Sequence, residues 1–200
     1  MLARLAKTVF PLACPGCGVP AEPICRSCAA RLQAPFAAPP PTGLDDWVAA
    51  FAYEGVAREL VARVKYRRVH HPTGWLAEVM APLVAPPLPS VVTWIPTTTW
   101  RRRERGFDHA ELLARRVARL LHRPVWRLLR RVDSQAQTGL EAWARRQGPV
   151  FAARCPSRGS VLMVDDIATT GATLAAAAAA LRGAGVTRIV GLTAARTPAP

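Results

Sequence analysis

The stretch that most constrains this chain is Val161-Leu162-Met163-Val164-Asp165-Asp166-Ile167-Ala168-Thr169-Thr170-Gly171-Ala172-Thr173. Four apolar residues without polar alternation read as a strand buried on both faces, the kind found in parallel sheets covered by helices. The alanine-rich segment 172–181 that follows reads as a helix ended by Gly183 and Gly185. Ligands of open α/β sheets bind beyond the carboxyl ends of the strands, which is where this turn falls. Successive N–H groups at 169–173, with the positive end of the helix, suit a dianion. The hydroxyls of Thr169, Thr170 and Thr173 add donors, and Gly171 lets the backbone come close. Asp165 and Asp166 repel an anion; they suit sugar hydroxyls and a positive charge developing on the sugar. A merely capped strand–turn–helix accounts for one acid and one hydroxyl, not for two acids and three threonines around a glycine.

Other segments extend the pattern. Helical spacing of Val56, Leu60, Val61 and Val64 predicts a helix from 55 to about 67, and a second is expected at 74–84. Val91-Val92-Thr93-Trp94-Ile95, stopped by Pro96, predicts a buried strand. Asp108 is placed to cap a helix to about 121. Strands are expected at 125–132 and 188–194, and 133–150 reads as a long mobile excursion, unusual in a compact domain unless it has a task. The order of elements predicts an α/β fold with a parallel sheet and helices on its faces. The alanine run at 175–180 reads as a small-residue packing face.

Four of the five cysteines form Cys14-x2-Cys17 and Cys25-x2-Cys28, with seven residues between the pairs. Two such turns complete a tetrahedral thiolate site for a structural Zn2+. Disulfides are disfavoured in a reducing cytosol, and four buried free thiols at this spacing are improbable. A knuckle this small has no core, so the metal supplies its folding energy. Cys155 stands apart. Residues 1–33 are therefore expected to form an N-terminal helix and knuckle, 34–46 a proline-rich linker, and 47–200 the main domain. The first 13 residues lack the uninterrupted apolar segment of a secretory signal, and no stretch approaches the ~20 residues of a membrane span. The expected location is the cytoplasm.

The net charge of +14 comes from 27 basic and 13 acidic residues, and 15 of the basic ones lie between Arg101 and Arg158. A basic face attracts phosphates of any kind, although an arginine-rich composition produces the same number. Arg105, in the run Arg101-Arg102-Arg103-Glu104-Arg105, stands where a guanidinium can meet phosphate in bidentate fashion. Lys65 is one of two lysines and serves equally as a point charge for a diphosphate or a solvated helix residue. Trp94, Trp100, Trp126 and Trp143 are candidates for base stacking, with core packing as the commoner use.

The segment 161–173 resembles the ribose-5-phosphate loop of type I phosphoribosyltransferases. The remainder is similar to the competence protein F (ComF) branch of that superfamily. Besides the four-cysteine knuckle, the resemblance rests on Val64-Lys65-Tyr66, Arg103-Glu104-Arg105-Gly106-Phe107-Asp108-His109-Ala110 and Gln137-Thr138-Gly139-Leu140 with Arg145. It implies the type I phosphoribosyltransferase fold, with Asp165 and Asp166 on the ribose hydroxyls and Ala168, Thr169, Thr170, Gly171, Ala172 and Thr173 on the 5-phosphate of 5-phosphoribosyl diphosphate. Pro96, Thr97 and Thr98 would lie in the diphosphate loop, and Mg2+ would bridge the diphosphate and the ribose. Residues 133–150, with Gln137 and Arg145, would be a hood closing over the sugar. Gly148 stands where the family usually has asparagine, and Ala168 is smaller than usual. Three functions remain open: a phosphoribosyltransferase acting on an unidentified base, a module of DNA uptake with single-stranded DNA and a competence helicase as partners, and a ligand-sensing regulator without turnover.

Overall fold

The computed structural model describes residues 13–14, 16–21, 24–66, 71–132, 149–154 and 159–198, without the side chains of 63–66 and 71. The expected N-terminal helix, most of the 133–150 excursion and Cys155 lie outside the described residues.

Four strands make the main sheet: β1 (Asp46–Ala52), β2 (Val91–Trp94), β5 (Ser160–Ala168) and β6 (Arg188–Arg196). They are parallel, in the order β1-β6-β5-β2. The fold is thus the parallel-sheet α/β class expected from the sequence. Helix α2 (Gly55–Tyr66) follows the short α1 (Arg26–Ala29), and α3 (His71–Met80) comes next. Helix α4 (Thr99–Arg105), α5 (His109–Leu120) and α6 (Ala172–Gly183) complete the helices, and β3 (Leu129–Val132) pairs antiparallel with β4 (Val150–Ala153) as a separate ribbon.

The apolar run of β5 is continuous because both of its faces are covered. Leu162 and Val164 pack with Leu76, Met80, Leu113 and Val117 of α3 and α5. Val161 and Met163, one residue out of phase, pack with Leu174, Ala177 and Leu181 of α6. Alanines at 177 and 178 are fully buried, so the run at 175–180 brings α6 close to the sheet. The chain leaves β2 through α5 on one face and leaves β5 through α6 on the other. The crevice between these two neighbouring strands is therefore the switch point of the sheet, the place where such folds bind ligands.

Three expectations need correction. The first strand, β1, is absent from the sequence reading: it is only half-buried, and its partner β6 lies far along the chain. The single strand expected at 125–132 is divided. Val125 makes one parallel bridge to Val92, and Leu129–Val132 turns away to pair with β4. The strand expected at 161–164 continues to Ala168, because β6 extends to Arg196 and offers backbone partners along that length.

Residues 41–47 pack as a strap on the α6 side. Arg182 of α6 bonds Asp45 at 2.6 Å and the Gly43 carbonyl at 3.2 Å. Leu44 and Trp47 lie over Gly191, where an added Cβ would meet Leu44 Cδ2 at 2.5 Å and Trp47 Cδ1 at 2.9 Å. The Gly191→Ala protein should therefore lose about 1–3 kcal/mol of stability in denaturant unfolding. Unchanged stability would show that Trp47 does not rest on β6.

Candidate functional site

Because β2 and β5 pair from Val91 with Val161 to Trp94 with Val164, their carboxyl ends lie side by side. A cleft of about 180 Å³ opens there. The β2 side contributes Pro96, Thr97 and Arg105, and the β5–α6 side contributes Asp165, Asp166 and Thr173. These six expected site residues, scattered over 78 positions of sequence, share one cavity.

The other expected residues take different places. Ala168 is buried as the last residue of β5, while Thr169 and Thr170 are exposed and do not line the cleft. Gly171 holds φ +76° at the start of α6, a left-handed angle that an L side chain adopts only with strain. An added Cβ there would also meet Pro41 Cγ at 2.9 Å. The Ala172 N–H already donates to Thr170 Oγ1 at 3.3 Å, so one amide of the turn has a hydroxyl partner. Thr98 faces its own helix, its Oγ1 accepting from Arg101 N–H at 3.2 Å as the N-cap of α4. The side chain of Lys65, and Gln137 and Arg145 entirely, lie outside the described residues.

The arginine run resolves by helical geometry. Arg101 and Arg105, four residues apart on α4, line the cleft. Arg102 lies 3.8 Å from Glu111 of α5, which also holds Arg115 at 2.8 Å. Of the tryptophans proposed for stacking, Trp94 is 3% exposed and belongs to the core, whereas Trp100 and Trp126 are exposed. Trp143 falls outside the described residues.

Four polar cleft residues were not singled out as ligands by sequence: Arg101, Asp108, His109 and Arg131. Asp108 was visible only as a helix cap. It occupies the N-cap position of α5, where the Ala110 and Glu111 N–H groups of the first turn act on its carboxylate, and it also accepts Thr97 N–H at 3.0 Å, so it pins the turn after β2. Buried His109 packs edge-on against Phe107, ring centroids 4.8 Å apart. Arg131 arrives on β3 with its guanidinium 5.6 Å from the Phe151 ring, a position that pairing of β3 with β4 decides and local sequence does not.

The four cysteines form a second site. Their Sγ atoms all lie within 4.8 Å of one another, with Cys17 and Cys25 3.6 Å apart. A tetrahedral thiolate site with metal–sulfur bonds of ~2.3 Å needs sulfurs roughly 3.8 Å apart, so the cluster fits one metal ion. Burial acts to raise the Cys14 thiol, but N–H groups of Cys25, Gly16 and Cys17 and the Cys28 side chain outweigh it, and its pKa falls to about 6. The Cys17 thiol feels a lowering contact from Val19 N–H, yet burial and the other three sulfurs push it up to about 11. The four sulfurs are thus grouped closely enough to hold a metal cation among them. Arg31 donates to Cys28 Sγ at 3.1 Å and adds positive charge at the edge. Gly18 takes φ +80° in the knuckle, while Gly16 is required by contact: its Cβ would fall 2.7 Å from Cys28 Sγ. Val56 of α2 packs against Cys14 and Cys28, seating the cluster on the main domain.

No family model and no curated protein matches the chain. Solved structures do. The chain is similar to the glutamine phosphoribosylpyrophosphate amidotransferase of B. subtilis, at 21% identity over 68% of this chain with a TM-score of 0.42. It spans only 27% of that enzyme's length. It is also similar to a purine phosphoribosyltransferase of Pyrococcus horikoshii, at 15% identity over 60% of this chain and 69% of the other, TM-score 0.41. A third is the adenine phosphoribosyltransferase of Leishmania tarentolae, at 12% identity over 64% and 73%, TM-score 0.39. Among the described residues no helix is long and apolar enough to cross a membrane.

Burial raises the Asp108 carboxyl above its ordinary 3.8, against the pull of Thr97 N–H. A raised carboxyl contributes stability that is full below the ordinary value and is lost as pH rises through the raised one. Asp108→Asn keeps an oxygen for Thr97 N–H but cannot ionise. The stability of this variant relative to the parent should therefore climb with pH from about 3 to 7 in denaturant titrations. A difference that stays flat over that range would place Asp108 in contact with water.

Proposed function

We propose that this chain is a type I phosphoribosyltransferase-fold protein that binds 5-phosphoribosyl diphosphate in the crevice between β2 and β5. The observation that carries the reading is the meeting of Asp165, Asp166 and Thr173 with Thr97 and Arg105 at the switch point of the sheet. The amides of 169–173 and the first turn of α6 take the 5-phosphate, a phosphate oxygen replacing the Thr170 hydroxyl at Ala172 N–H. Asp165 and Asp166 hold the two ribose hydroxyls. Arg101 and Arg105 face the diphosphate from α4, and the turn 96–98, fixed by Asp108, supplies main-chain donors beside it. Bound with the ligand, Mg2+ would neutralise the leaving diphosphate, with the cleft carboxylates as its nearest oxygen donors.

As an enzyme the protein would break the bond between C1 of the ribose and the diphosphate oxygen. The diphosphate would leave with the electron pair, and a nitrogen nucleophile would attack C1. Positive charge growing on the sugar ring is stabilised by the two carboxylates. The 133–150 hood, with Gln137 and Arg145, and Lys65 complete the proposed contacts. In the same reading the knuckle holds a structural Zn2+ on Cys14, Cys17, Cys25 and Cys28.

A second reading, a DNA-uptake module of the competence protein F type, is favoured by exposed Trp100 and Trp126 on a chain of net charge +14. Exposed indoles with arginines are what single-stranded nucleic acid stacks and pairs on. Diphosphate release with a panel of bases separates an enzyme from a binding module or a sensor. Salt-dependent binding of single-stranded DNA, lowered in Trp100→Ala/Trp126→Ala, separates the DNA module from a sensor.

Calorimetry with 5-phosphoribosyl diphosphate and Mg2+ should show binding to the parent protein. Removing two hydrogen-bonded charged contacts in Asp165→Ala/Asp166→Ala should weaken it by about 100-fold or more. Equal affinity in that variant would move the ligand elsewhere. Metal analysis should find about one zinc per chain, and Cys14→Ser should lose both the metal and stability. A chain that is metal-free as isolated, and that chelators leave equally stable, would contradict the zinc assignment.

A further inference from the structure

Arg196, the last residue of β6, stands out among the charged groups of the sheet. It is 6% exposed, its Nε has no hydrogen-bond partner, and among the described residues it forms no ion pair. Its guanidinium lies over the Trp47 ring, 4.8 Å from the centroid. The other arginines nearby are satisfied: Arg182 by Asp45 and by the carbonyls of Gly43 and Val186, and Arg188 by the Pro87 carbonyl. Burial lowers the Arg196 pKa, and no acid acts to restore it. A buried cation without an anion is costly, and an aromatic face offsets only part of that cost.

Its position gives the vacancy of negative charge a meaning. The Cα of Arg196 pairs with Ala168, the last residue before the turn that opens α6, and Thr197 N–H donates to the Ala168 carbonyl at 3.0 Å. The strap 41–47 joins the same two places. Pro41 lies against Gly171 of the turn, while Leu44 and Trp47 lie over Gly191. Trp47 is fixed by its own indole N–H, which donates to Thr193 Oγ1 at 3.3 Å. The backbone of Arg196 thus lies beside the strand end that opens the turn, while its guanidinium rests on the Trp47 ring with no acid among the described residues to cancel its charge.

We propose that Arg196 is a positioning residue whose uncompensated positive charge stabilises the sugar phosphate bound at the 169–173 turn. This inference rests on the proposed function, and it assigns to that site a cationic residue outside the loop. In the free protein Arg196 is a buried cation; a dianion in the turn would bring it an opposite charge at the neighbouring strand end. Sites that carry charge in this way are less stable empty than they would be with an apolar residue.

The test uses ribose 5-phosphate as the probe, with calorimetry and thermal unfolding of the full chain. Arg196→Met keeps the length and the stacking stem but removes the charge, and Arg196→Lys keeps the charge. The expected result is about tenfold or greater loss of affinity in Arg196→Met, with most affinity kept in Arg196→Lys. The free Arg196→Met protein should melt at the parent's temperature or above it. Unchanged affinity in Arg196→Met, with a lower melting temperature, would make Arg196 a packing residue and overturn the inference while the proposed site survives. A loss that Arg196→Lys shares in full would overturn the role of charge. Failure of the parent protein itself to bind ribose 5-phosphate would instead remove the proposed function beneath it.

Discussion

The parallel pairing of β2 with β5 is the constraint on which the rest of the molecule depends. Eight residues are matched, Val91 through Trp94 with Val161 through Val164, and all eight are buried. Their side chains divide between two apolar layers, so neither strand can slip by one residue without exchanging its layers. That register sets the turn after Ile95 against the turn after Ala168. The residues that line the cleft are gathered by those two adjacent strand ends.

The cleft is built from polar groups that the core supports at some cost to itself. Asp108 is buried and accepts the Thr97 N–H, and so fixes the turn beside the cleft. Gly171 combines a left-handed angle with the contact of Pro41, which ties the start of α6 to the strap and through it to Trp47. Arg196 sits on that indole and, among the described residues, forms no ion pair. A buried carboxylate and a buried guanidinium with no ion-pair partner among the described residues are each unfavourable alone. The buried carboxylate lies beside the end of β2 and the buried guanidinium at the end of β6, both on the side of the sheet where the cleft opens.

How much of this the sequence disclosed follows from how local each feature is. The β5–α6 unit was legible because its strand, acids, turn and helix are consecutive residues whose pattern needs no partner. The knuckle was legible for the same reason, two Cys-x2-Cys turns defining one site. Strand β1 was not: Asp46–Ala52 is half-exposed and alanine-rich, and only pairing with β6 makes it a strand. Helix α4 was hidden inside an arginine run because it buries no residue and so has no apolar stripe to reveal it. Asp108 was recognised as the N-cap of α5, but its bond to Thr97 N–H was not, since that partner lies eleven residues back. Arg131 and Arg196 reach their places through the β3–β4 ribbon and the β5–β6 register, contacts that no window of sequence contains.

The measurement that bears most directly on the central claim is a crystal structure of the full chain grown with 5-phosphoribosyl diphosphate and Mg2+. The account predicts phosphate density on the main-chain amides between Ala168 and Leu174, ribose hydroxyls on Asp165 and Asp166, and the diphosphate toward Thr97 and Arg105. A ligand bound at any other surface, with that turn unchanged and both aspartates turned away from it, would contradict the account.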